Sequence, residues 1–309
     1  VMLAAVFFFG VRALLLLATC AAGSALTEWI FAGRGPFRNS TVSDGSAILT
    51  GILLALTLPP GLPLWMAFLG AVIAVLLGTI IFGGLGHNIF NPSLTGRAFL
   101  QACFPVALTT WIPYGNLAGF LRLDGGTLTI PFTHPAADVV TAATPLAKMK
   151  FESVPTTVSH LLVGTTAGSL GETSALLILL GGAYLAYRKF LNWRIPAGII
   201  GTVFVLATIL HLINPAKYPD GVFHLFSGGL MLGAVFMATD PVTSPVTPRG
   251  SWFFAAGVGV LVVAIRQFGG LPEGVMYSIL LMNGLTPLID RYTQPQIYGA
   301  AKKPVRQKS

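Results

Sequence analysis

Two stretches of the chain carry the same punctuation at the same spacing, each within a segment too short to cross a membrane. The first reads Gly51-x5-Thr57-x-Pro59-x3-Pro63, and the second reads Gly233-x5-Thr239-x-Pro241-x3-Pro245. The apolar runs that hold them, Ser46 to Leu58 and Gly228 to Ala238, would rise roughly 16 to 20 Å as helices, against a hydrocarbon core of about 30 Å. Short, proline-interrupted segments at matching places in two halves point to a midplane binding site in a repeat-built membrane protein. A second echo, Phe82-Gly-Gly-Leu85 and Phe268-Gly-Gly-Leu271, occurs in the same order.

Hydrophobic residues make up 54% of the chain and charged residues 9%, and the mean hydropathy is +0.78. Such a composition excludes an ordinary soluble domain. Longer apolar runs cover Val11 to Phe31, Leu64 to Phe82, Ile89 to Val106, Ser174 to Tyr187, Ile195 to Ile213, Trp252 to Ile265 and Leu271 to Ile289. With the two short segments they make nine membrane elements. Backbone groups in lipid need internal partners, so helices are expected. A transmembrane β-barrel would alternate apolar and polar residues, whereas these runs are continuous. Val1 to Phe9 is too short to span and reads as the tail of a helix whose start precedes this numbering, rather than as a cleavable signal.

Basic residues give an orientation. If Arg34 and Arg38 are cytoplasmic and sides alternate, 11 of the 18 basic residues fall inside and five outside, while Arg97 and Arg266 lie within membrane segments. That excess matches the positive-inside rule. The net charge of +8 then reflects topology and contact with anionic lipid, and nucleic acid is not an expected partner. On this count the two short segments run in opposite directions, so the halves are expected to be inverted repeats. The expected divisions are a first membrane repeat at 1–106, an extracytoplasmic segment at 107–173, a second repeat at 174–291 and a basic cytoplasmic tail at 292–309. Cys20 and Cys103, both in apolar runs, are expected to be structural, because two thiols cannot ligate a usual iron–sulfur cluster.

The long polar excursion contains Asp138-Val-Val-Thr141-Ala-Ala143-Thr144-Pro145. Read alone, this is a turn ending in a threonine before a proline. Glu172 and Thr173 precede an apolar run, where an acid and a hydroxyl suit a helix start. Arg97 sits inside an apolar run and calls for a carbonyl, a carboxylate or a ligand edge. Asp240 and Glu273 adjoin membrane segments; ionisable groups at membrane depth are functional candidates, although at the interface a solvated carboxylate has no special role. Asn91 and Asn283 are placed to pair polar groups between the halves, and His87 and His224 read as interfacial residues at segment ends.

Motifs spread along most of the chain carry a resemblance. They are Ser43-Asp-Gly-Ser-Ala47, Gly83-Gly-Leu-Gly-His-Asn-Ile-Phe-Asn-Pro92 with Gly96-Arg-Ala-Phe99, Gly171-Glu-Thr-Ser-Ala175, Phe236-Met-Ala-Thr-Asp-Pro-Val-Thr-Ser-Pro245, and Leu281-Met-Asn-Gly-Leu-Thr-Pro-Leu-Ile-Asp-Arg291. With these the chain resembles the D-subunit family of the Rnf complex, the ion-pumping ferredoxin:NAD oxidoreductase. That family is related to the B-subunit family of the sodium-pumping NADH:quinone oxidoreductase. The resemblance implies a urea-transporter-like fold in the inner (plasma) membrane. It also implies FMN attached by a phosphoester to the last threonine of Asp-x-x-Ser/Thr-Gly/Ala-Ala-Thr, a place held here by Thr144, facing the extracytoplasmic side. The usual Ser-Gly before the final Ala-Thr is Thr141-Ala142 in this chain, which keeps a hydroxyl and adds a methyl. A separate Mg-dependent flavin transferase using FAD would make the bond, since a threonine hydroxyl is a weak nucleophile.

Asp138, Thr141, Ala143, Glu172, Thr173 and Arg97 are the accompanying cofactor-binding candidates. Asp240, Thr57, Thr239, Asn91 and Asn283 are candidates for an ion site or for a second, noncovalent flavin such as riboflavin, which some members hold. No catalytic residue and no metal-ligand set is expected in this chain itself. It shows no Gly-rich dinucleotide motif and no cysteine cluster, so it is expected to relay electrons between the other membrane and peripheral subunits of an Rnf complex. The rival reading is a solute transporter or channel that uses an inverted repeat without a redox cofactor.

Overall fold

The computed structural model describes residues 1–32, 44–112, 126–131, 142–152, 154, 156–164, 166–172, 174–215 and 217–295. Every regular element among them is helical. The first half contains α1 (Met2–Phe9), α2 (Val11–Ala32), α3 (Ser46–Thr57), α4 (Leu64–Val75), which passes into a π-helical turn at Leu76–Ile80, α5 (Pro92–Cys103) and α6 (Pro105–Thr109). Between the halves lie α7 (Pro145–Ala147), a π-helical turn at Lys148–Glu152, and α8 (Val158–Val163). The second half contains α9 (Ala175–Tyr187), α10 (Arg194–Ile213), α11 (Gly221–Phe226), α12 (Leu230–Leu232) continued by a π-helical turn at Gly233–Met237, α13 (Pro248–Phe268) and α14 (Val275–Thr293).

All nine expected membrane elements are present as helical segments. Among the described residues three of them, Val11–Phe31, Arg194–Ile213 and Pro248–Phe268, are long and apolar enough to cross a bilayer on their own. These helices present large apolar side chains to the surroundings, among them Phe31, Phe204, Leu212, Ile213 and Phe253. The run read as one span over Ile89 to Val106 is instead divided. Phe104 takes an extended φ of −131°, and Pro105, which has no N–H to donate, opens α6. Of the two cysteines, Cys20 is buried with its thiol on the Ala67 carbonyl at 3.7 Å, whereas Cys103 is exposed.

The helices pack in two similar sets. In the first, α2 lies against α3 and α4, and α4 lies against α5; in the second, α10 lies against α13, and α13 against α14. Contact between α5 and α14 joins the sets. The two motif threonines behave alike. Thr57 Oγ1 donates to the Leu54 carbonyl at 2.7 Å, and Thr239 Oγ1 donates to the Val235 carbonyl at 2.6 Å. Each satisfies a carbonyl left free where its short helix stops. The first short segment is α-helical up to its threonine, while the second is largely π-helical.

The motif glycine of α3 has a packing reason. A Cβ on Gly51 would collide with the backbone carbonyl of Cys20 and approach Ala21 Cα at 2.8 Å. Backbone on α2 cannot step aside as a flexible side chain can. Gly51→Ala is therefore expected to cost roughly 2 kcal/mol, read as a lowered Tm of the detergent-solubilised protein; an unchanged Tm would show that α2 and α3 are not in close backbone contact.

Candidate functional site

The polar excursion is held against the membrane helices by bonds from its own backbone and one lysine. Ala142 N–H donates to the Trp111 carbonyl at 2.8 Å. Thr144 then caps α7: its φ/ψ is extended, its Oγ1 accepts the Ala147 N–H at 3.2 Å, and Pro145 takes the first helical position. Leu146 packs with Leu161 and Phe223 in a small satellite core. Lys150 Nζ donates to the carbonyls of Arg266, Gly269 and Leu271 at 2.9, 2.6 and 3.1 Å, which fixes the excursion to the end of α13.

These ties place Thr144 on the wall of a cavity of about 300 Å³, together with Thr57, Arg97, Trp111, Glu273 and Tyr277. Ala142, Ala143 and Ala147 add only methyl groups to that wall. Thr144 itself is 2% exposed. Residues from both helix sets and from the excursion thus meet at one space.

Arg97, on α5, finds a carboxylate. Its Nη2 lies 3.0 Å from Glu273 Oε2, with side-chain exposures of 11% and 18%. Glu172 reaches the same place by another route. Leu170 N–H donates to the Leu58 carbonyl at 3.2 Å and Gly171 N–H to the Leu56 carbonyl at 2.6 Å, which brings the residues before α9 onto the exit of α3. Ser174 caps α9 by accepting the Leu177 N–H at 3.3 Å, the hydroxyl cap expected at this helix start. Glu172 Oε2 accepts the Ser169 N–H at 3.2 Å, and its carboxyl is within hydrogen-bonding reach of Glu273. Glu172 lies between α8 and α9, outside the spanning helices. Burial pushes its carboxyl above the usual carboxylate range and Glu273 adds to that push, while Arg97 and the Ser169 N–H oppose it.

A turn at Ser227–Gly229 lies beside Glu273, and its Gly229 lines the cavity. Arg266 is 3% exposed and donates to the carbonyls of His224 and Ser227 at 2.6 and 2.8 Å. Gly228 is left-handed (φ 67°), and a Cβ there would lie 2.6 Å from Leu146 and 3.1 Å from Glu273 Oε1. Only glycine suits both the backbone and the space. His224 is 2% exposed, with its Nε2 2.8 Å from Gln267 Nε2. It is thus a buried residue and not an interfacial one, because α11 packs against α10 and His224 meets Arg266 and Gln267 at the end of α13.

The other candidates divide between two places. Asp240, Thr239 and Asn91 line a separate cavity of about 210 Å³, along with Glu28, Thr50 and Ser93. Asp240 accepts the Val242 N–H at 3.1 Å and the Thr243 hydroxyl at 3.2 Å. Asn91 caps α5 through the Leu94 N–H at 3.2 Å and donates to the Met237 carbonyl at 3.2 Å. The Asn91 N–H donates at 3.1 Å to the side-chain oxygen of Asn283, whose amide nitrogen donates to the Ile279 carbonyl. These two asparagines therefore join the helix sets, while Thr57 belongs to the Thr144 cavity. Asp138, Thr141 and Thr173 lie outside the described residues. Sequence reasoning passed over Glu28, a carboxylate inside α2 that is 4% exposed; its charge within an otherwise apolar helix was the available signal.

Helical segments with lipid-type apolar faces, meeting around a buried ion pair and a capped threonine, define an all-α membrane protein with an internal site. The model of the NQR2, RnfD, RnfE family matches residues 1–299, and the chain belongs to that family. It is 42% identical over 307 residues to the D subunit of the proton-translocating ferredoxin:NAD(+) oxidoreductase complex of Clostridium ljungdahlii, covering 96% of this chain and 87% of that one. It is 42% identical over 303 residues to the D subunit of the Na(+)-translocating ferredoxin:NAD(+) oxidoreductase complex of Acetobacterium woodii, covering 96% and 86%. Against the D subunit of the ion-translocating oxidoreductase complex of Halorhodospira halophila the identity is 43% over 288 residues, covering 88% and 79%. The chain is accordingly a multi-pass membrane protein.

Proposed function

We propose that this chain is the membrane-embedded D subunit of an Rnf-type ion-translocating ferredoxin:NAD oxidoreductase, and that it carries FMN as a phosphoester on Thr144. The observation that carries the reading is the meeting of Thr144 with Arg97 and Glu273 on one cavity wall. The residues present fit the group. Thr144 lines the space, with Ala142, Ala143 and Ala147 beside it and the aromatic residues Trp111 and Tyr277 on the same lining. At about 300 Å³ the cavity is at the small end of the usual range for ligand sites. When bound, the flavin would supply the redox chemistry, and the protein would supply placement and charge. Arg97 offers a fixed positive group, Glu273 holds Arg97 in orientation, and Lys150 keeps the α7 segment in place. In attachment, the Thr144 oxygen would form the bond to the FMN phosphorus, AMP would leave from FAD, and the hydroxyl proton would pass to solvent or to the transferase.

The two halves are further read as repeats inverted in an inner (plasma) membrane, in a urea-transporter-like arrangement, with the Thr144 segment extracytoplasmic. The matched packing of α2, α4 and α5 with α10, α13 and α14, and the paired behaviour of Thr57 and Thr239, support the repeat. Asp240, Thr239 and Asn91 are the ion-site or second-flavin candidates, for riboflavin in particular. Asn283 holds Asn91 in position from outside that cavity. Relatives equally identical to this chain bear names with different ions, so the coupling ion is not assigned.

Intact-mass measurement of the chain made with its transferase tests the reading, and an unmodified mass would overturn it. Burial of Thr144 adds a kinetic expectation. The transferase can reach its oxygen only with segment 142–152 displaced. Chain modified during synthesis should therefore gain flavin at least tenfold faster than chain first folded in micelles, a ratio on the order of that expected when a segment must open locally. Equal rates would show that the folded segment is accessible.

A further inference from the structure

The Thr144 cavity has a second layer. Behind Glu273 stands Glu172, and each carboxyl has one oxygen engaged and one free. Glu172 Oε2 is held by the Ser169 N–H and Glu273 Oε2 by Arg97. Both Oε1 atoms are buried and lack a hydrogen-bond partner among the described residues. They converge over consecutive glycines: Glu273 Oε1 is 3.1 Å from a Cβ position on Gly228, and Glu172 Oε1 is 3.5 Å from one on Gly229. The two carboxyls are within hydrogen-bonding reach of each other. Two carboxylates have acceptors only, so neither can satisfy the other, and two buried unpaired oxygens would each carry a desolvation penalty. One proton placed between them satisfies both.

We propose that Glu172 is a neutral carboxylic acid whose Oε1–H donates to Glu273 Oε1, and that this buried pair is the proton-exchange site of the Thr144 cavity. The surrounding charges favour this assignment. Glu273 already faces the Arg97 guanidinium, so it is the better carboxylate of the two. Glu172 accepts a backbone N–H and forms no ion pair among the described residues, with Arg97 and Arg266 acting on it at longer range. Arg266, on α13, adds a positive charge beside Gly228, its Nη2 3.3 Å from a Cβ position there. The cluster of Arg97, Arg266, Glu273 and neutral Glu172 thus carries one net positive charge. Ionising Glu172 would cancel it. Negative charge arriving in the cavity therefore strengthens the hold on the proton, and its departure weakens that hold. Through Glu172, charge in the cavity becomes coupled to one proton. This coupling role rests on the proposed flavin at Thr144, whereas the presence of the proton does not.

Two measurements on the full chain separate these statements. The first uses infrared spectra of wild type, Glu172→Gln and Glu273→Gln near neutral pH, in H2O and D2O. Wild type should show a protonated carboxylic acid carbonyl band that shifts in D2O. Glu172→Gln should lose it, and Glu273→Gln should keep it at a different frequency. A wild-type spectrum without the band, or one unchanged by Glu172→Gln, overturns the assignment. The second is stability against pH. A carboxyl whose proton is held more tightly in the folded state contributes stability that is present at low pH and is lost as pH rises through its folded pKa. Wild type should lose Tm as pH rises from the ordinary carboxylate range up to the folded pKa of Glu172, and Glu172→Gln, whose amide N–H still donates to Glu273, should fold and show a shallower fall. Equal slopes would overturn the proposal. If the mass of the chain shows no flavin but both results hold, only the coupling role falls. If flavin is present, its midpoint potential should lose one proton's worth of pH dependence in Glu172→Gln, and an unchanged dependence would reject that role.

Discussion

Thr144→Ala should yield a chain that inserts and folds yet carries no covalent flavin, so its denatured band on a gel loses ultraviolet fluorescence and its mass falls to that of the bare polypeptide. The expected effect is complete loss, because a methyl group offers no oxygen for a phosphoester. The change also removes the cap that accepts the Ala147 N–H, at about 1 kcal/mol. That cost is small beside the three carbonyl bonds of Lys150 and the Leu146 packing that also hold the segment. Thr144→Ser keeps both an oxygen and a cap, and serves as the control that should retain fluorescence. Persistent fluorescence in Thr144→Ala would move the attachment to another residue. An absence of flavin in wild type, together with solute flux by the isolated chain in vesicles, would favour the transporter reading instead.

Arg97→Met should destabilise the protein by about 3 kcal/mol, since it removes one partner of a buried ion pair and leaves the Glu273 carboxylate uncompensated. Side-chain exposures of 11% and 18% place this pair well below the exposure at which solvent screening reduces such a bond to a fraction of a kilocalorie. The double variant Arg97→Met with Glu273→Gln should recover most of the loss, because the uncompensated charge is gone. A single-variant loss under about 1 kcal/mol would identify the pair as solvent-screened. In the same variant the covalent adduct should remain, which separates a role in placing the cofactor from a role in attaching it.

Much of the architecture is legible in the residues. Continuous apolar runs mark the nine elements, since lipid leaves helices as the way to satisfy the backbone. The repeated Thr and Pro positions mark where the short helices stop. Legibility fails where the outcome depends on packing. The run over Ile89 to Val106 reads as one segment despite Asn91, Arg97 and Gln101, and Pro105 divides it through the backbone. His224 resembles a segment-end residue in sequence and is buried because α11 packs against α10 and Gln267 of α13 meets the imidazole. Asp240 and Thr57, proposed together, line different cavities, because the two helix sets present them to different spaces.

By itself the sequence determined a multi-pass helical membrane protein and placed a threonine before a proline in its longest polar excursion. Those properties are local: they follow from hydropathy, helix termination and turn chemistry within a few residues. Only the tertiary structure decided that Arg97 meets Glu273 across 176 positions and that Glu172, in the segment before α9, comes to the glycine turn that Glu273 also faces. Buried charges are tolerated only beside partners, and which partners arrive is set by how helices distant in sequence pack around one cavity.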